Sequence, residues 1–182
     1  MVLMAAIPPT YSWPDSFMTS VQFNKISTFL SFLSFRSGGF CQLTQTVQQD
    51  IPTDSDYPIF MQNEEVDRDG GHSDLSNISR YQVNTPGRYL LAGLVAFSAN
   101  ANGFRSSKLM VNGGSSNPVE LAISQQAAPA AGIEPFISVG PRIASLTVGD
   151  YVELRARQNS TATVKTSIAD GGSSLTIIYL GA

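Results

Sequence analysis

The chain of 182 residues has one cysteine, Cys41, one histidine, His72, and only 14% charged side chains, against roughly a quarter in an average soluble protein. A single thiol excludes an intrachain disulfide framework and any zinc site built on several thiolates, and Cys41 reads as a small buried hydrophobe. With 11 Lys+Arg against 14 Asp+Glu there is no basic surplus to neutralise a phosphate backbone, so nucleic acid is not an expected partner. The longest apolar stretch, Phe29 to Phe35, is interrupted by Ser31 and Ser34 and falls short of the ~20 residues a membrane span requires, so no membrane insertion is expected. Met1 to Ser20 holds no Lys or Arg and contains Pro8, Pro9 and Pro14, so no signal peptide is expected and the N-terminus reads as part of the mature protein. Mean hydropathy near zero with a net charge of -3 excludes wholesale disorder. A charge-poor surface is poorly solvated, which predicts burial against copies of the chain or other partners.

What is present changes character near Gly38–Gly39. Residues 1–39 read as an N-terminal segment with one helix, and 40–182 as an all-β head domain. Thr19 or Ser20 offers an N-cap for a helix to about Ser34, in which Val21, Ile26, Phe29, Leu30 and Leu33 fall close to one side. So short a helix is unstable alone and must dock, either on its own domain or, as an anchor, on a larger assembly or its symmetry mates. Tyr11, Trp13 and Phe17 ahead of it are either anchors for a partner groove or a hydrophobic staple at the helix entry.

Downstream, β-rich runs alternate with turn chemistry. Expected strands are 40–47, 57–62, 79–84, 87–98, 104–112, 119–126, 134–143, 150–158 and 174–180. Asn102–Gly103, between two apolar-alternating runs, is the strongest hairpin signal, because both central residues of a type I′ turn need positive φ. Val152, Leu154 and Ala156 alternate with Tyr151, Glu153, Arg155 and Arg157, so that strand buries one face only. The leading fold is a jelly-roll β-sandwich, with an irregular sandwich second.

Ser79 to Phe97 with Lys108 to Gly113, the Leu146 to Leu154 stretch around Gly149–Asp150, and the closing Ser174 to Gly181 resemble strands of the tumour-necrosis-factor and complement globular-head superfamily. Val66 to Ser73, Arg80–Tyr81, Phe97 to Gly103, Trp13, Phe23–Asn24 and Gln45–Thr46 resemble small virion proteins of tailed bacteriophages that infect actinobacteria. The resemblance implies a homotrimer in which strand faces carrying Tyr89, Phe97, Tyr151 and Tyr179 pack around a threefold axis. It further implies a virion location. Capsid decoration or a head fibre comes first, with residues 1–39 docked on the major capsid protein or other virion proteins, and a minor tail protein or an adhesin head binding host-surface glycans is the alternative. A secreted signalling ligand would want a signal peptide and stalk, and the helix stands where the complement proteins carry a collagen-like stalk.

Chemistry-bearing residues are sparse. Asp67, Asp69 and Asp74 surround the flexible Gly70–Gly71 and could wrap a hard cation, but the loop is not an EF-hand, and a solvated turn or pairing with Arg68, Arg80 and Arg88 is the simpler use. His72 in the same loop has no nucleophile or paired acid beside it, and the Ser-rich stretches 114–117 and 172–174 have no partner histidine. No glycine-rich loop opens a helix after a strand, so no phosphate cradle is expected. The expectation is a protein without cofactor or catalytic residues.

Overall fold

The computed structural model describes residues 19–33 and 39–182. The chain divides into two units, Met1–Ser37 and Gly38–Ala182. In the first, α1 (Ser20–Leu33) starts on a capping box: Gln22 N–H donates to Thr19 Oγ1 at 3.3 Å, and Thr19 N–H donates back to Gln22 Oε1 at 2.8 Å. With the start set, a period of about 3.6 residues puts Phe23 on the same side as Ile26, Phe29 and Leu30 and turns Val21 away from them. That corrects the expected apolar face at those two positions. All five side chains are exposed. Leu33 ends the helix, and Tyr11, Trp13 and Phe17 lie outside the described residues.

The second unit is built of twelve strands: β1 (Phe40–Thr44), β2 (Asp50–Ile51), β3 (Tyr57–Pro58), β4 (Asn63–Asp67), β5 (Arg80–Gln82), β6 (Gly87–Ala96), β7 (Phe104–Val111), β8 (Val119–Ala127), β9 (Phe136–Leu146), β10 (Tyr151–Gln158), β11 (Val164–Lys165) and β12 (Ser174–Gly181). One five-stranded sheet has the order β4-β1-β12-β6-β9. The other runs β3-β10-β7-β8, with β5 also on β10, and β2-β11 is a small ribbon. The named strand pairs are antiparallel and connections cross repeatedly between the sheets, which makes a jelly roll. The core fills the space between the sheets. Leu91 and Val95 of β6 and Leu175 and Ile177 of β12 meet Leu109 of β7 and Val152 and Leu154 of β10, all fully buried. Gly93 has no side chain because Leu154 of the opposite sheet occupies its place: a Cβ there would stand 2.5 Å from Leu154 Cδ1. In β9 the buried phase switches from Ile137 and Val139 to Ala144 and Leu146 across a bulge that contains the cis Gly140–Pro141 bond.

Two expectations need correction. Asn102–Gly103 does not close a hairpin, because β6 belongs to the first sheet and β7 to the second, so residues 97–103 carry the chain from one layer to the other. Gly103 has a positive φ of 75°, but tertiary contacts hold the segment: Asn159 Oδ1 accepts Phe104 N–H at 2.6 Å, and the buried Arg105 guanidinium donates to the carbonyls of Asn100, Asn102 and Phe104 at 2.8–3.0 Å. The expected strand 57–62 narrows to Tyr57–Pro58. Ile59 N–H still reaches β10 at Leu154 O, but the next N–H groups turn elsewhere, Phe60 to Gln49 Oε1 and Met61 to Ile78 O. Similarly, β1 stops at Thr44 because Gln62 Oε1 takes the N–H groups of Thr46 and Val47. The short β4, β2 and β11 carry too little alternation to be read from sequence.

Candidate interaction surface

The outer faces of the two sheets differ in chemistry. On the first sheet, the side chains that alternate with the core residues line up in rows across the strands. Phe40, Ile178, Leu90 and Ile143 form one row; Gln42, Thr176 and Ala92 a second; Thr44, Ser174, Leu94 and Ser138 a third. None is ionisable. Ile143 is 60% exposed, and Phe40, Leu90, Leu94 and Ile178 are half-buried. Thr176 Oγ1 donates to Gln42 Oε1 at 2.6 Å, so even the polar pair in the middle is satisfied within the face. Polar groups that need no water and apolar side chains that gain from losing it are the composition of an interface core.

The second sheet carries the ion pairs. Arg80 Nε–H donates to Glu153 Oε1 at 3.0 Å, Arg155 Nε lies 3.7 Å from Glu153 Oε2, Lys108 Nζ stands 2.9 Å from Asp56 Oδ2 and 3.1 Å from Glu120 Oε2, and Arg157 reaches Asp54 at 3.6 Å. Glu153 is 2% exposed although it points outward, because Ser79, Arg80 and Arg155 close over it. Burial acts to lower the Lys108 pKa, but its two carboxylate partners outweigh this and hold it above the usual lysine value. These charges are committed to one another, so this face has less to gain from a partner.

The loop that joins β4 to β5 spends its chemistry internally. Asp67 accepts the N–H groups of Gly71 and His72 at 3.3 and 2.8 Å, Asp69 accepts the Tyr81 hydroxyl at 2.8 Å, and Asp74 is exposed on the turn that follows. The three carboxylates do not converge, and among the described residues no group of three or more His, Cys, Asp or Glu is placed to hold a metal ion. The cation-wrapping arrangement of Asp67, Asp69 and Asp74 is thereby corrected: backbone N–H groups and a buried tyrosine claim two of the carboxylates. Arg80, one of the cations expected to pair with them, pairs with Glu153 instead. His72 is buried with Nδ1 2.7 Å from Arg80 O and Nε2 3.0 Å from Met61 O, so the ring ties β5 to the segment before β4. Burial raises Asp69 above the usual carboxylate range, and burial first and Asp69 second push the Tyr81 hydroxyl well above the tyrosine range. Tyr89 is pushed up to about 12, mainly by burial, and burial followed by the nearby Asp67 raises the Cys41 thiol.

Of the aromatic residues expected on the threefold axis, Tyr89 and Phe97 are fully buried inside one protomer and have no surface for a neighbour. Tyr89 Oη–H donates to Thr85 O at 2.6 Å, and Phe97 packs under the Arg105 guanidinium. Tyr179 is half-buried and stacks edge-on against Tyr89, with ring centroids 5.3 Å apart. Tyr151 lies on the other sheet beneath Arg80. The four therefore do not share a face. The apolar outer surface is instead the Phe40–Ile178–Leu90–Ile143 row, whose members sequence reading placed in strands without assigning them to one side.

A second feature is a polar cleft of about 310 Å³ where the β4–β5 loop meets the turn before β10. Arg80, Tyr151, Gln82, Asn84, Ser76 and Asn77 are among its lining residues. Sequence reading placed Arg80 and Tyr151 in strands but did not bring them together.

No family model matches the sequence, and no curated protein matches it. Solved structures do match the fold. Murine APRIL at pH 8.0 superposes with a TM-score of 0.60 at 16% identity, covering 79% of this chain and 100% of that one. Murine APRIL at pH 8.5 gives 0.59 at 18% with the same coverage. The Eiger tumour necrosis factor of S. frugiperda gives 0.60 at 11%, over 79% of this chain and 94% of that one. At such identities the fold is what is shared, and the unit Gly38–Ala182 is a jelly roll of the tumour-necrosis-factor type.

Proposed function

We propose that this chain is a non-enzymatic structural protein of a tailed-phage particle, a homotrimeric knob held on the virion surface by residues 1–39. The observation that carries the assembly is the apolar row that crosses four strands on the outer face of the β4-β1-β12-β6-β9 sheet, while the ion pairs of the second sheet are satisfied within the protomer. Closed threefold packing lets one such patch meet a neighbour in every protomer. The exposed apolar side of α1, formed by Phe23, Ile26, Phe29 and Leu30, supports the anchor, because a helix of 14 residues is stabilised by docking that side. The virion location rests on the sequence resemblance of the loop 66–73, the Arg80–Tyr81 step and the 97–103 crossover. Capsid decoration or a head fibre is the first reading, docked on the major capsid protein or another virion protein.

Sedimentation of the purified full chain tests the assembly. A trimer is expected, and Ile178→Asp is expected to give a folded monomer; a monomeric wild type overturns the reading. Deleting residues 1–39 is expected to leave trimers that no longer join particles, and normal incorporation of that variant overturns the anchor. Density at the capsid lattice in particle reconstructions supports decoration, and density confined to the tail moves the chain to the minor tail class. A second reading, an adhesin head that binds host-surface glycans, is favoured by the polar cleft beside Arg80 and Tyr151.

A further inference from the structure

The cleft between the β4–β5 loop and the start of β10 has a surplus of hydrogen-bond donors. A guanidinium carries five N–H groups. Arg80 gives its Nε–H to Glu153 Oε1 at 3.0 Å and one Nη1–H to Asn77 Oδ1 at 3.3 Å, and its Nη2 has no partner among the described residues. The guanidinium carbon stands over the Tyr151 ring, 4.1 Å from its centre. Tyr151 Oη in turn accepts Gly114 N–H at 2.9 Å, so its own hydrogen must go elsewhere, and it has no acceptor among the described residues. Both unspent donors lie near one point: a Cβ built on Gly114 would stand 3.2 Å from Arg80 Nη2 and 3.4 Å from Tyr151 Oη.

Arg80 and Arg155 share one carboxylate, Glu153, which leaves that trio with a net positive charge. Arg80 is the one charged side chain in the cleft lining; the carboxylates of Asp67, Asp69 and Asp150 stand outside it, held by the N–H groups of Gly71 and His72, by the Tyr81 hydroxyl, and by Asn112 and Thr147. A guanidinium edge beside a hydroxyl donor fits a carboxylate. The rest of the lining offers carboxamides and hydroxyls, Gln82, Asn84 and Ser76 among them, and no aliphatic side chain. Ligand clefts are ordinarily lined by apolar side chains, so a lining of this kind selects a ligand covered in hydroxyl groups. The volume of about 310 Å³ is at the small end for ligand clefts and suits a terminal unit.

The geometry points to a carboxylate-bearing sugar, such as a uronic or sialic acid unit, as the ligand of this cleft. The carboxylate sits on Arg80 Nη2 and Tyr151 Oη, and the ring hydroxyls meet Gln82, Asn84 and Ser76. The inference rests on the glycan-binding reading and is independent of the particle role.

Saturation-transfer NMR titration of the full-length protein with sodium glucuronate, sodium N-acetylneuraminate, glucose and acetate tests it. At least one sugar acid is expected to bind at least tenfold more tightly than glucose or acetate. Arg80→Lys, which keeps the charge beside Glu153 but loses the planar fork, and Tyr151→Phe, which removes the donated proton, are each expected to weaken that binding at least tenfold while a cooperative native melting transition is retained. Glucose bound as well as the acids overturns the acid class and leaves the glycan reading standing. Acetate bound as well as the acids overturns the sugar. Binding of none of the four overturns the site, and binding that survives both substitutions places the ligand elsewhere.

Discussion

Gly93 and Leu154 face each other across the core from opposite sheets, and their contact makes a quantitative test of how the sandwich is packed. Leu154 is fully buried, so Leu154→Ala loses the transfer free energy of the removed carbons and leaves a cavity, for a cost of about 3 kcal/mol. For a domain of this size that lowers Tm by roughly 6–12 °C. Gly93→Ala adds a methyl that would stand 2.5 Å from Leu154 Cδ1 and 3.4 Å from Val139 Cγ1. The leucine must leave its rotamer or the sheets must part, at about 1–3 kcal/mol. In the double variant the methyl added at position 93 enters the space that Leu154 vacates, so the clash disappears and part of the cavity is filled. The two substitutions should therefore couple favourably by at least about 1 kcal/mol. Urea unfolding of the wild type and three variants at one protein concentration measures the cycle, the fixed concentration removing the contribution of assembly. Additivity within about 0.5 kcal/mol, or a Gly93→Ala protein as stable as wild type, would refute the cross-sheet contact.

Val95→Asp puts an unpaired carboxylate at a fully buried site in β6 and is expected to abolish the native melting transition; a normal transition by circular dichroism would show that position to be solvated. Burial and the neighbouring Asp67 hold the Cys41 thiol protonated, so a thiol reagent at pH 8 should leave the native protein unmodified and label it promptly in urea, which mass spectrometry reads directly. Asp150 is held below the usual carboxylate range by Asn112 and the Thr147 N–H, so its charged form stabilises the fold above the unfolded pKa of about 3.9, and that contribution fades as pH falls through the lower folded value. The Tm advantage of wild type over Asp150→Asn should accordingly be full near neutrality and shrink below about pH 4; a constant difference would remove Asp150 from the acid response. Replacing Arg105 with Met leaves the carbonyls of Asn100, Asn102 and Phe104 without its N–H groups, so limited proteolysis within residues 98–104 should accelerate while the strands stay protected.

Much of the architecture is legible residue by residue. The alternation of Val152, Leu154 and Ala156 with polar neighbours is a local signature of a half-buried strand, and β10 buries those three with Tyr151, Arg155 and Arg157 half-buried between them, Glu153 alone departing because its ion pairs cover it. An N-cap at Thr19 or Ser20 was likewise visible, and it falls at Thr19, because backbone conformation and nearby side-chain hydrogen bonds decide it. Asn102–Gly103 shows where local chemistry stops: the pair is well suited to a hairpin, yet the chain uses it to change sheets, held by Arg105 and by Asn159 from 55 residues away.

The candidate surface was the least legible part. An aromatic residue in a strand looks alike whether it points into a sandwich or out of it, so Tyr89 and Phe97 read as interface residues until register placed them inside. The acidic loop read as a solvated turn or ion-pairing loop with a cation wrap as the lesser use, because spacing shows which carboxylates are near, and only the fold shows that Tyr81 and backbone N–H groups have claimed two of them. Composition by itself determined that the chain has no disulfide framework or basic surplus, and local periodicity determined an all-β head preceded by one short helix. Tertiary structure alone decided which side of each strand faces out. That choice rests on hydrogen bonds between strands as distant as Gln42 and Thr176, 134 residues apart, and a shift of one residue in their register would exchange the two faces.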